Sequence, residues 1–162
     1  MRNALKVTTP TDREIVITRD FNASRALVWD AMSRPELLKR WLLGPPGWEM
    51  TVCEEDARVG GTFRWAWVGP DGASMSMSGV YHEVVPPERC VRTEVFDTGC
   101  VPGGGEQRAT LVLEDCGETT ALTITLLYES REARDGALAS GMERGMAAGY
   151  DRLDQILDRA AA

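Results

Sequence analysis

The first clear pattern in the chain is an alternation of apolar and polar residues. Ile15, Ile17 and Phe21 share one face, while Thr18 points to the other. A period of two is typical of a β-strand that buries one face. The preceding residues, 1–13, are polar and carry no such period, and we expect them to form a flexible tail.

Two helical patterns follow this strand. Ser24 can cap a short helix that ends near Ser33. The segment Ser33-Arg34-Pro35-Glu36 is a capping box with proline in the first turn, and it begins a second short helix that ends before Gly44. The N-terminal part of the chain is therefore predicted to run strand, helix, helix.

The period of two returns between residues 48 and 128. Turn-forming pairs such as Gly60-Gly61 and Pro86-Pro87 interrupt it, and the segment predicts about six antiparallel strands. Its longest loop, residues 97–106, is rich in glycine, and we expect this loop to be mobile.

After Ser130 the period becomes helical and continues to the end of the chain. One apolar stripe predicts a single helix from about residue 131 to 159, and it consists of Leu138, Met142, Met146, Tyr150, Leu153, Ile156 and Leu157. In so short a chain, the sheet and this helix can bury their apolar faces only against each other. We therefore predict one α+β domain, residues 14–160, whose curved antiparallel sheet wraps around the C-terminal helix.

Composition narrows the functions open to such a domain. The 162 residues include 18 Lys and Arg against 25 Asp and Glu, a net charge of −7, which opposes binding to nucleic acid phosphates. The sequence has no apolar segment of membrane-spanning length and no signal-peptide core near its start. We expect a cytoplasmic protein with no membrane span.

Metal, disulfide and cofactor sites lack their usual residue spacing. The four cysteines stand singly in the sequence, at Cys53, Cys90, Cys100 and Cys116, and His82 is the one histidine. The glycines from Gly99 to Gly105 lack the lysine and hydroxyl residue of a phosphate loop. We therefore expect no metal, no disulfide and no cofactor, and we assign no catalytic residue.

Strand parity gives one charged candidate for the interior of the domain. Glu83 is two residues from Tyr81, so both face inward if no bulge intervenes. A buried glutamate needs a partner, which Arg92, Arg64 or Arg19 can supply. The alternative is a salt bridge at the surface of the sheet.

A stronger signal is a set of aromatic and methionine side chains on the predicted facing surfaces. They are Trp65, Trp67, Met75, Met77 and Tyr81 on two neighbouring strands, and Met142, Met146 and Tyr150 on the helix. Such side chains can line a ligand cavity, and the alternative is an ordinary packed core.

Glycines within the predicted helix favour the cavity. Gly141, Gly145 and Gly149 each cost about 1 kcal/mol relative to alanine, so they need a packing or functional reason. We expect a side chain at Gly145 to enter the space between helix and sheet. If the glycines only permit close packing, the same side chain would overpack the core.

Two segments have a distinctive order of residues, Asp56-Ala57-Arg58-Val59-Gly60-Gly61 and Gly79-Val80-Tyr81-His82-Glu83-Val84-Val85-Pro86-Pro87-Glu88-Arg89. Together with residues 21–29, 37–41 and 141–146 they resemble the SRPBCC superfamily. The sequence is most similar to the bacterial branch related to the C-terminal domain of the heat-shock protein 90 ATPase activator. The similarity runs from about residue 14 to 158.

This resemblance implies a START-like helix-grip fold with a hydrophobic cavity between sheet and helix. Many members bind lipids, polyketides or other apolar molecules, and some cyclise or hydrolyse them. The chain has Met146 where the family usually has an aromatic residue, and Cys90 and Arg92 where apolar residues are commoner. These departures reshape the expected cavity.

We therefore expect the chain to bind a small apolar or amphipathic molecule. The expected contact residues are Trp65, Trp67, Met75, Met77, Tyr81, Glu83, Arg92, Leu111, Met142, Gly145, Met146 and Tyr150.

Two other functions stay open, and so does the formation of a homodimer. One is a cyclase-, aromatase- or hydrolase-like enzyme in which Glu83, Tyr81 and Arg92 act as acid, base or orienting groups. Polar side chains that converge inside the cavity would favour it. The other is a heat-shock protein 90 co-chaperone-like interaction module, which an exposed apolar patch would favour.

Overall fold

The computed structural model describes residues 3–97 and 105–161. Residues 98–104, which make up most of the predicted mobile loop and include Cys100, lie outside the described residues. The strands are β1 (Lys6–Thr8), β2 (Glu14–Phe21), β3 (Glu49–Glu55), β4 (Thr62–Val68), β5 (Ser74–Val85), β6 (Arg89–Asp97), β7 (Glu106–Asp115) and β8 (Thr120–Leu127). The helices are α1 (Arg25–Ser33), α2 (Pro35–Trp41), α3 (Arg131–Ala139) and α4 (Met142–Ala161), with a 3-10 turn at Pro70–Gly72.

The strands form one antiparallel sheet in the order β1-β2-β8-β7-β6-β5-β4-β3. The strands from β3 to β8 follow one another as a meander, and β2 joins the sheet beside β8. Inward-facing side chains of this curved sheet and the apolar stripe of α4 form one core. This arrangement confirms the predicted α+β fold.

Strand β1 lies within the segment predicted as a flexible tail. Val7 pairs with Ile17 of β2, and the Thr11 carbonyl oxygen accepts a hydrogen bond from Arg134 at 2.8 Å. The prediction of a free tail over residues 1–13 is therefore corrected. A strand of three residues is too short to show a period, so its position becomes visible only with its neighbour.

The predicted single C-terminal helix is divided into α3 and α4. Gly141 lies between them with φ +85°, a left-handed conformation that glycine adopts without steric cost. The single helix predicted over residues 131–159 is corrected accordingly. The apolar stripe nevertheless continues through the break, because Leu138, Met142 and Met146 all pack against the core.

A buried arginine joins α4 to the sheet. Arg19 of β2 donates hydrogen bonds to Asp151 at 2.9 Å and to Asp154 at 2.5 Å, and its own side chain is 1% exposed. Next to it, Tyr150 packs edge-on against Phe21, with ring centroids 5.5 Å apart. The middle of α4 is therefore held by both charge and packing.

Within residues 3–97 and 105–161, no helix is both long and apolar enough to cross a membrane. The same residues contain no group of three or more His, Cys, Asp or Glu side chains arranged to hold a metal ion. Cys53, Cys90 and Cys116 are free thiols.

Candidate functional site

The inner face of strands β4 to β6 surrounds a largely buried arginine with aromatic rings. The guanidinium carbon of Arg92 lies 4.4 Å from the ring centroid of Phe63, 4.9 Å from that of Trp65 and 5.8 Å from that of Tyr81. These distances are within the range of cation–π attraction. The aromatic surface therefore stabilises a positive charge inside the domain.

An ion pair neutralises this charge. Arg92 Nε donates to Glu94 Oε2 at 2.8 Å, and the two side chains are 15% and 5% exposed. The other oxygen, Glu94 Oε1, accepts from Gln107 Nε2 at 2.8 Å. Both carboxylate oxygens are thus hydrogen-bonded, as a buried ion pair requires.

A second carboxylate reaches the same place through a tyrosine. The Tyr81 hydroxyl accepts from Arg92 Nη1 at 3.3 Å, and it donates to Glu55, whose two oxygens lie 2.8 and 2.9 Å away. Glu55, Tyr81, Arg92, Glu94 and Gln107 form one connected set, which we call the polar cluster.

Burial shifts the pKa values of two members of this cluster. It raises the pKa of Glu55 to about 7, although the Arg92 charge and the Tyr81 hydrogen bond both oppose the shift. Burial also raises the pKa of Tyr81 well above its usual value. At neutral pH, Tyr81 therefore keeps its proton while Glu55 can gain or lose one.

The sheet assembles the cluster from four strands. Tyr81 pairs with Arg92, and Glu94 pairs with Gln107 of β7. Glu55 of β3 is opposite Phe63, which places the carboxylate on the same inner face as that ring. The order of strands therefore brings together side chains that are up to 52 positions apart, from Glu55 to Gln107.

A glycine on β5 makes room for the aromatic part of the site. Gly79 is opposite Glu94, and a Cβ at Gly79 would clash with the Thr93 carbonyl oxygen and lie 2.8 Å from Cε1 of Phe63. Any other residue would have to displace that ring or the neighbouring strand. Glycine thus allows Phe63 to lie beneath Arg92.

The inward-facing tryptophans differ in how their indole N–H groups are used. Trp67 Nε1 donates to the Leu42 carbonyl oxygen at 2.8 Å, and Trp41 Nε1 donates to that of Ala31 at 2.9 Å. Trp65 Nε1 is buried and has no hydrogen-bond partner.

Several half-buried apolar side chains pack against the core that contains these rings. They pack against the core without being enclosed by it, and they are Met75, Met77, Leu111, Met142 and Met146. The Tyr128 hydroxyl lies 3.9 Å from the sulfur of Met142. Because methionine side chains change shape easily, this surface can adapt to a bound molecule.

Most of the site residues predicted from the sequence fall in this region. Arg92 contacts Trp65 and Tyr81 directly, and the Trp67 ring is 6.4 Å from that of Trp65. The four predicted methionines and Leu111 pack against the same core. Tyr150 is buried near the Trp41 ring, with centroids 5.7 Å apart.

Two of the predicted residues lie elsewhere. A β-bulge between Tyr81 and Glu83 shifts the register of β5, and Glu83 instead pairs with Arg89 at 3.1 Å with both side chains nearly half exposed. The alternative given for Glu83, a salt bridge at the surface of the sheet, is therefore the one found, and Glu83 is not the inward-facing contact residue expected, because the bulge breaks the parity on which that expectation rested. Gly145 is exposed, and a Cβ built there would meet no atom within 4 Å.

Glu55 is a functional candidate that the sequence pattern did not indicate, and so are Glu94 and Gln107. The position of Glu55 follows from the pairing of β3 with β4. In that register Glu55 lies opposite Phe63, and because Phe63 faces inward, Glu55 does too. The sequence pattern alone does not show the register, because β3 also contains an irregularity between Met50 and Val52.

Comparison with known proteins agrees with this architecture. The family described as Activator of Hsp90 ATPase homolog 1-like protein matches residues 22–158. No curated protein matches the chain.

Several solved structures are similar over almost the whole chain. A crystal structure of a Rhodobacter sphaeroides protein is 32% identical, with a TM-score of 0.88 over 96% of this chain and 99% of the other. An Arthrobacter aurescens protein is 27% identical, with a TM-score of 0.82 over 95% and 91% of the two chains. The AHSA1 protein from Silicibacter pomeroyi, at 20% identity and a TM-score of 0.73 over 91% and 99%, shares the fold.

The family match covers far more than half of the chain, and its bounds agree with the similarity recognised in the sequence motifs. The chain therefore belongs to the Activator of Hsp90 ATPase homolog 1-like family, within the SRPBCC superfamily.

Proposed function

We propose that this domain binds a small apolar or amphipathic molecule between the inner face of the sheet and α4. The observation that carries the proposal is the position of Arg92, a largely buried charge held against three aromatic rings and hydrogen-bonded to residues of the sheet. Replacing such an ion pair with apolar residues often leaves stability unchanged or improves it. Recognition of a ligand gives a reason to keep it.

The surrounding apolar surface supports the same proposal. The methionines of β5 and α4 are half-buried although they lie next to the core. A binding surface with a few polar groups set among apolar and aromatic side chains is typical of small-molecule sites. The polar cluster would orient the ligand, and the methionines would adapt to its apolar part.

The test is binding of N-phenyl-1-naphthylamine, a neutral apolar dye whose fluorescence increases when it leaves water. Met77→Glu places a charge on the half-buried inner face of β5, and we expect it to weaken dye binding by about tenfold or more. Val80→Glu is the matched control, because Val80 is 38% exposed on the opposite face of the same strand.

We expect Val80→Glu to bind the dye like the parent. Met146→Gln is a milder change on the helix side and covers the case in which Met77→Glu does not fold, which thermal melting would show. The proposal is wrong if the parent does not bind the dye, or if the two glutamate variants are equally weakened while both remain folded.

A second function, acid–base catalysis on the bound molecule, is favoured by the pair Tyr81 and Glu55. Their oxygens are within hydrogen-bond distance, and the pKa of Glu55 is raised by burial to about 7, which suits a general base or acid at neutral pH. In the simplest step, the Glu55 carboxylate takes a proton from the carbon next to a ketone carbonyl. The Tyr81 hydroxyl then turns its hydrogen bond from Glu55 to the enolate oxygen. The proton on the carboxyl group exchanges with solvent, and a solvent-derived proton or deuteron returns from the carboxyl group to the carbon.

This second function predicts hydrogen exchange at the methyl group of 2-acetylnaphthalene in deuterated water. We expect the parent protein to accelerate the exchange, as followed by proton NMR, and Glu55→Gln to abolish the acceleration. Glu54→Gln is the control, because Glu54 is an exposed neighbour on the same strand. Equal rates with and without the parent protein would eliminate this function and leave ligand binding intact.

A further inference from the structure

The indole of Trp65 carries a hydrogen-bond donor that the folded chain does not use. Trp65 is 6% exposed, and its Nε1 is buried without a partner. Trp41 and Trp67, which are equally buried, both donate to backbone carbonyl oxygens. Trp65 therefore differs from its two neighbours in the core in bonding rather than in burial.

An unused buried donor has a cost that calls for an explanation. Leaving such a group without an acceptor costs about 1–3 kcal/mol, and buried tryptophans usually find a partner. Within residues 3–97 and 105–161, the buried side-chain nitrogen and oxygen atoms without a partner are Trp65 Nε1 and Arg19 Nε. Arg19 already bonds to two aspartates through another nitrogen, so Trp65 is the side chain with no hydrogen bond of its own.

The charges around Trp65 indicate which acceptor would suit it. The guanidinium of Arg92, 4.9 Å from the Trp65 ring, is already neutralised by Glu94. Glu55 adds a second carboxyl group to the same cluster, and the chain as a whole has a net charge of −7. An anionic group would therefore meet no surplus positive charge, whereas a neutral oxygen would not be repelled.

We infer that the ligand of this site carries a neutral hydrogen-bond acceptor, such as the carbonyl oxygen of a ketone, ester or amide, which accepts the hydrogen bond of Trp65 Nε1. This inference rests on the proposed function, because it names the chemistry of a molecule bound between sheet and helix. It separates ligands of this class from pure hydrocarbons and from carboxylates with the same apolar body.

The first experiment compares three naphthalenes as displacers of bound N-phenyl-1-naphthylamine. They are 2-acetylnaphthalene, which has the carbonyl, 2-isopropylnaphthalene, which has the same heavy-atom connectivity without an acceptor, and 2-naphthoate, which is an anion. Trp65→Phe removes the N–H group and keeps an aromatic ring. We expect the preference for ketone over hydrocarbon to fall by about three- to tenfold in this variant, the value of one neutral hydrogen bond. We expect 2-naphthoate to bind least well to the parent.

A second measurement does not depend on the stability of the variant. The five tryptophans each give one indole N–H signal in a nitrogen-15 NMR spectrum of the parent, and the signal missing from Trp65→Phe is that of Trp65. We expect 2-acetylnaphthalene to shift this signal downfield and 2-isopropylnaphthalene to shift it much less. Trp67→Phe removes an N–H group that is bonded to Leu42 and serves as the assignment control.

The outcomes separate this inference from the proposed function. If the parent does not bind the dye, the proposed function fails and this inference fails with it. If the parent binds the dye but the ketone preference is the same in Trp65→Phe, or if 2-naphthoate displaces the dye best, the site binds ligands and this inference is wrong.

Discussion

Two arginines on the inner face of the same sheet have opposite relations to the C-terminal helix. Arg19 on β2 is bonded to Asp151 and Asp154 of α4. Arg92 on β6 is bonded to Glu94 and Tyr81, which both belong to the sheet. The first arginine therefore joins two elements, whereas the second is held within one.

This difference divides the interior into two parts. In the fastened part, around Arg19, the sheet is bonded to α4; in the adaptable part, around Arg92, the arginine is bonded to residues of the sheet. Beside Arg19, the helix contributes two aspartates and the buried Tyr150. Its other contribution to the core includes Met142 and Met146, which are only half-buried. A domain that binds a small molecule needs both parts, because the bonds of Arg19 to the middle of α4 keep the helix in place while flexible side chains elsewhere can move.

The largest loss of stability is expected when Arg19, in the fastened part, is replaced. Arg19→Met leaves Asp151 and Asp154 without their buried partner, and we expect the free energy of unfolding to fall by about 2–4 kcal/mol. Urea denaturation followed by circular dichroism measures this change.

The control for this prediction is Arg58→Met, which breaks an ion pair with Asp56 that is largely exposed. We expect it to cost at most about 1 kcal/mol, since exposed pairs contribute little. Equal losses for Arg19→Met and Arg58→Met would show that the Arg19 pair does not fasten the helix.

A smaller loss of stability is expected when Arg92, in the adaptable part, is replaced. Arg92→Met leaves Glu94 with one remaining hydrogen bond, from Gln107, but the methionine can still pack against the rings of Phe63 and Trp65. We expect a loss of about 2–3 kcal/mol in the free energy of unfolding.

The double variant Arg92→Met, Glu94→Gln sharpens this prediction. It removes the buried carboxylate together with its partner, so we expect it to recover at least half of the loss in urea denaturation. A double variant no more stable than Arg92→Met would mean that Arg92 contributes through its ring contacts rather than through the ion pair.

The polar cluster is also expected to make stability depend on pH. The pKa of Glu55 is raised from its ordinary value of 4.5 to about 7 by burial. The folded state therefore holds this proton more tightly than the unfolded state, and the associated stability is present below pH 4.5 and is lost as the pH rises to about 7.

The variant Glu55→Gln keeps an acceptor for Tyr81 and cannot ionise. We expect the parent to lose about 1–3 kcal/mol relative to this variant between pH 4.5 and pH 8. Urea denaturation at both pH values measures the difference. The exposed Glu54→Gln should follow the parent at both values, and a parent that does not lose stability relative to Glu55→Gln would contradict the prediction.

The smallest effects are expected at the glycines of the helix. Gly145 is exposed and a side chain there meets nothing within 4 Å, so Gly145→Ala should stabilise the protein by about 0.5–1 kcal/mol through helix propensity. Gly141→Ala should destabilise it by about 1 kcal/mol, because φ at this position is +85°. Thermal melting measures both changes. If the melting temperature shifted in the same direction in both variants, the different roles given to Gly145 and Gly141 would be wrong.

Three evenly spaced glycines thus turn out to have separate roles. Gly141 divides α3 from α4, Gly145 is exposed, and Gly149 is buried with Trp41 Cε3 3.7 Å from the position of a Cβ. The spacing showed that these positions were unusual for a helix. It did not show what each faces. The expectation that a side chain at Gly145 enters the space between helix and sheet is wrong, and so is the alternative that Gly145 permits close packing, because Gly145 is exposed and a Cβ there meets nothing within 4 Å.

The periodicity of the sequence by itself determined the larger features of this protein. Alternation placed Trp65, Trp67 and Tyr81 on the inner face of the sheet, and the helical stripe placed Tyr150 on the inner face of α4; all four are buried in the core. The motifs around Gly60-Gly61 and Pro86-Pro87 indicated the family. These features are local or repeated, so they can be read along the chain without knowledge of its neighbours in space.

Only the tertiary structure decided which charged groups meet inside. A bulge of one residue turns Glu83 outward to Arg89, and the pairing of β3 with β4 brings Glu55 to Tyr81 instead. A period of two reports the face of a side chain only while the register is unbroken, and a single extra residue reverses every later assignment. The partner of a buried charge is set by strands that are distant in sequence, and that is why it had to be observed in the folded chain.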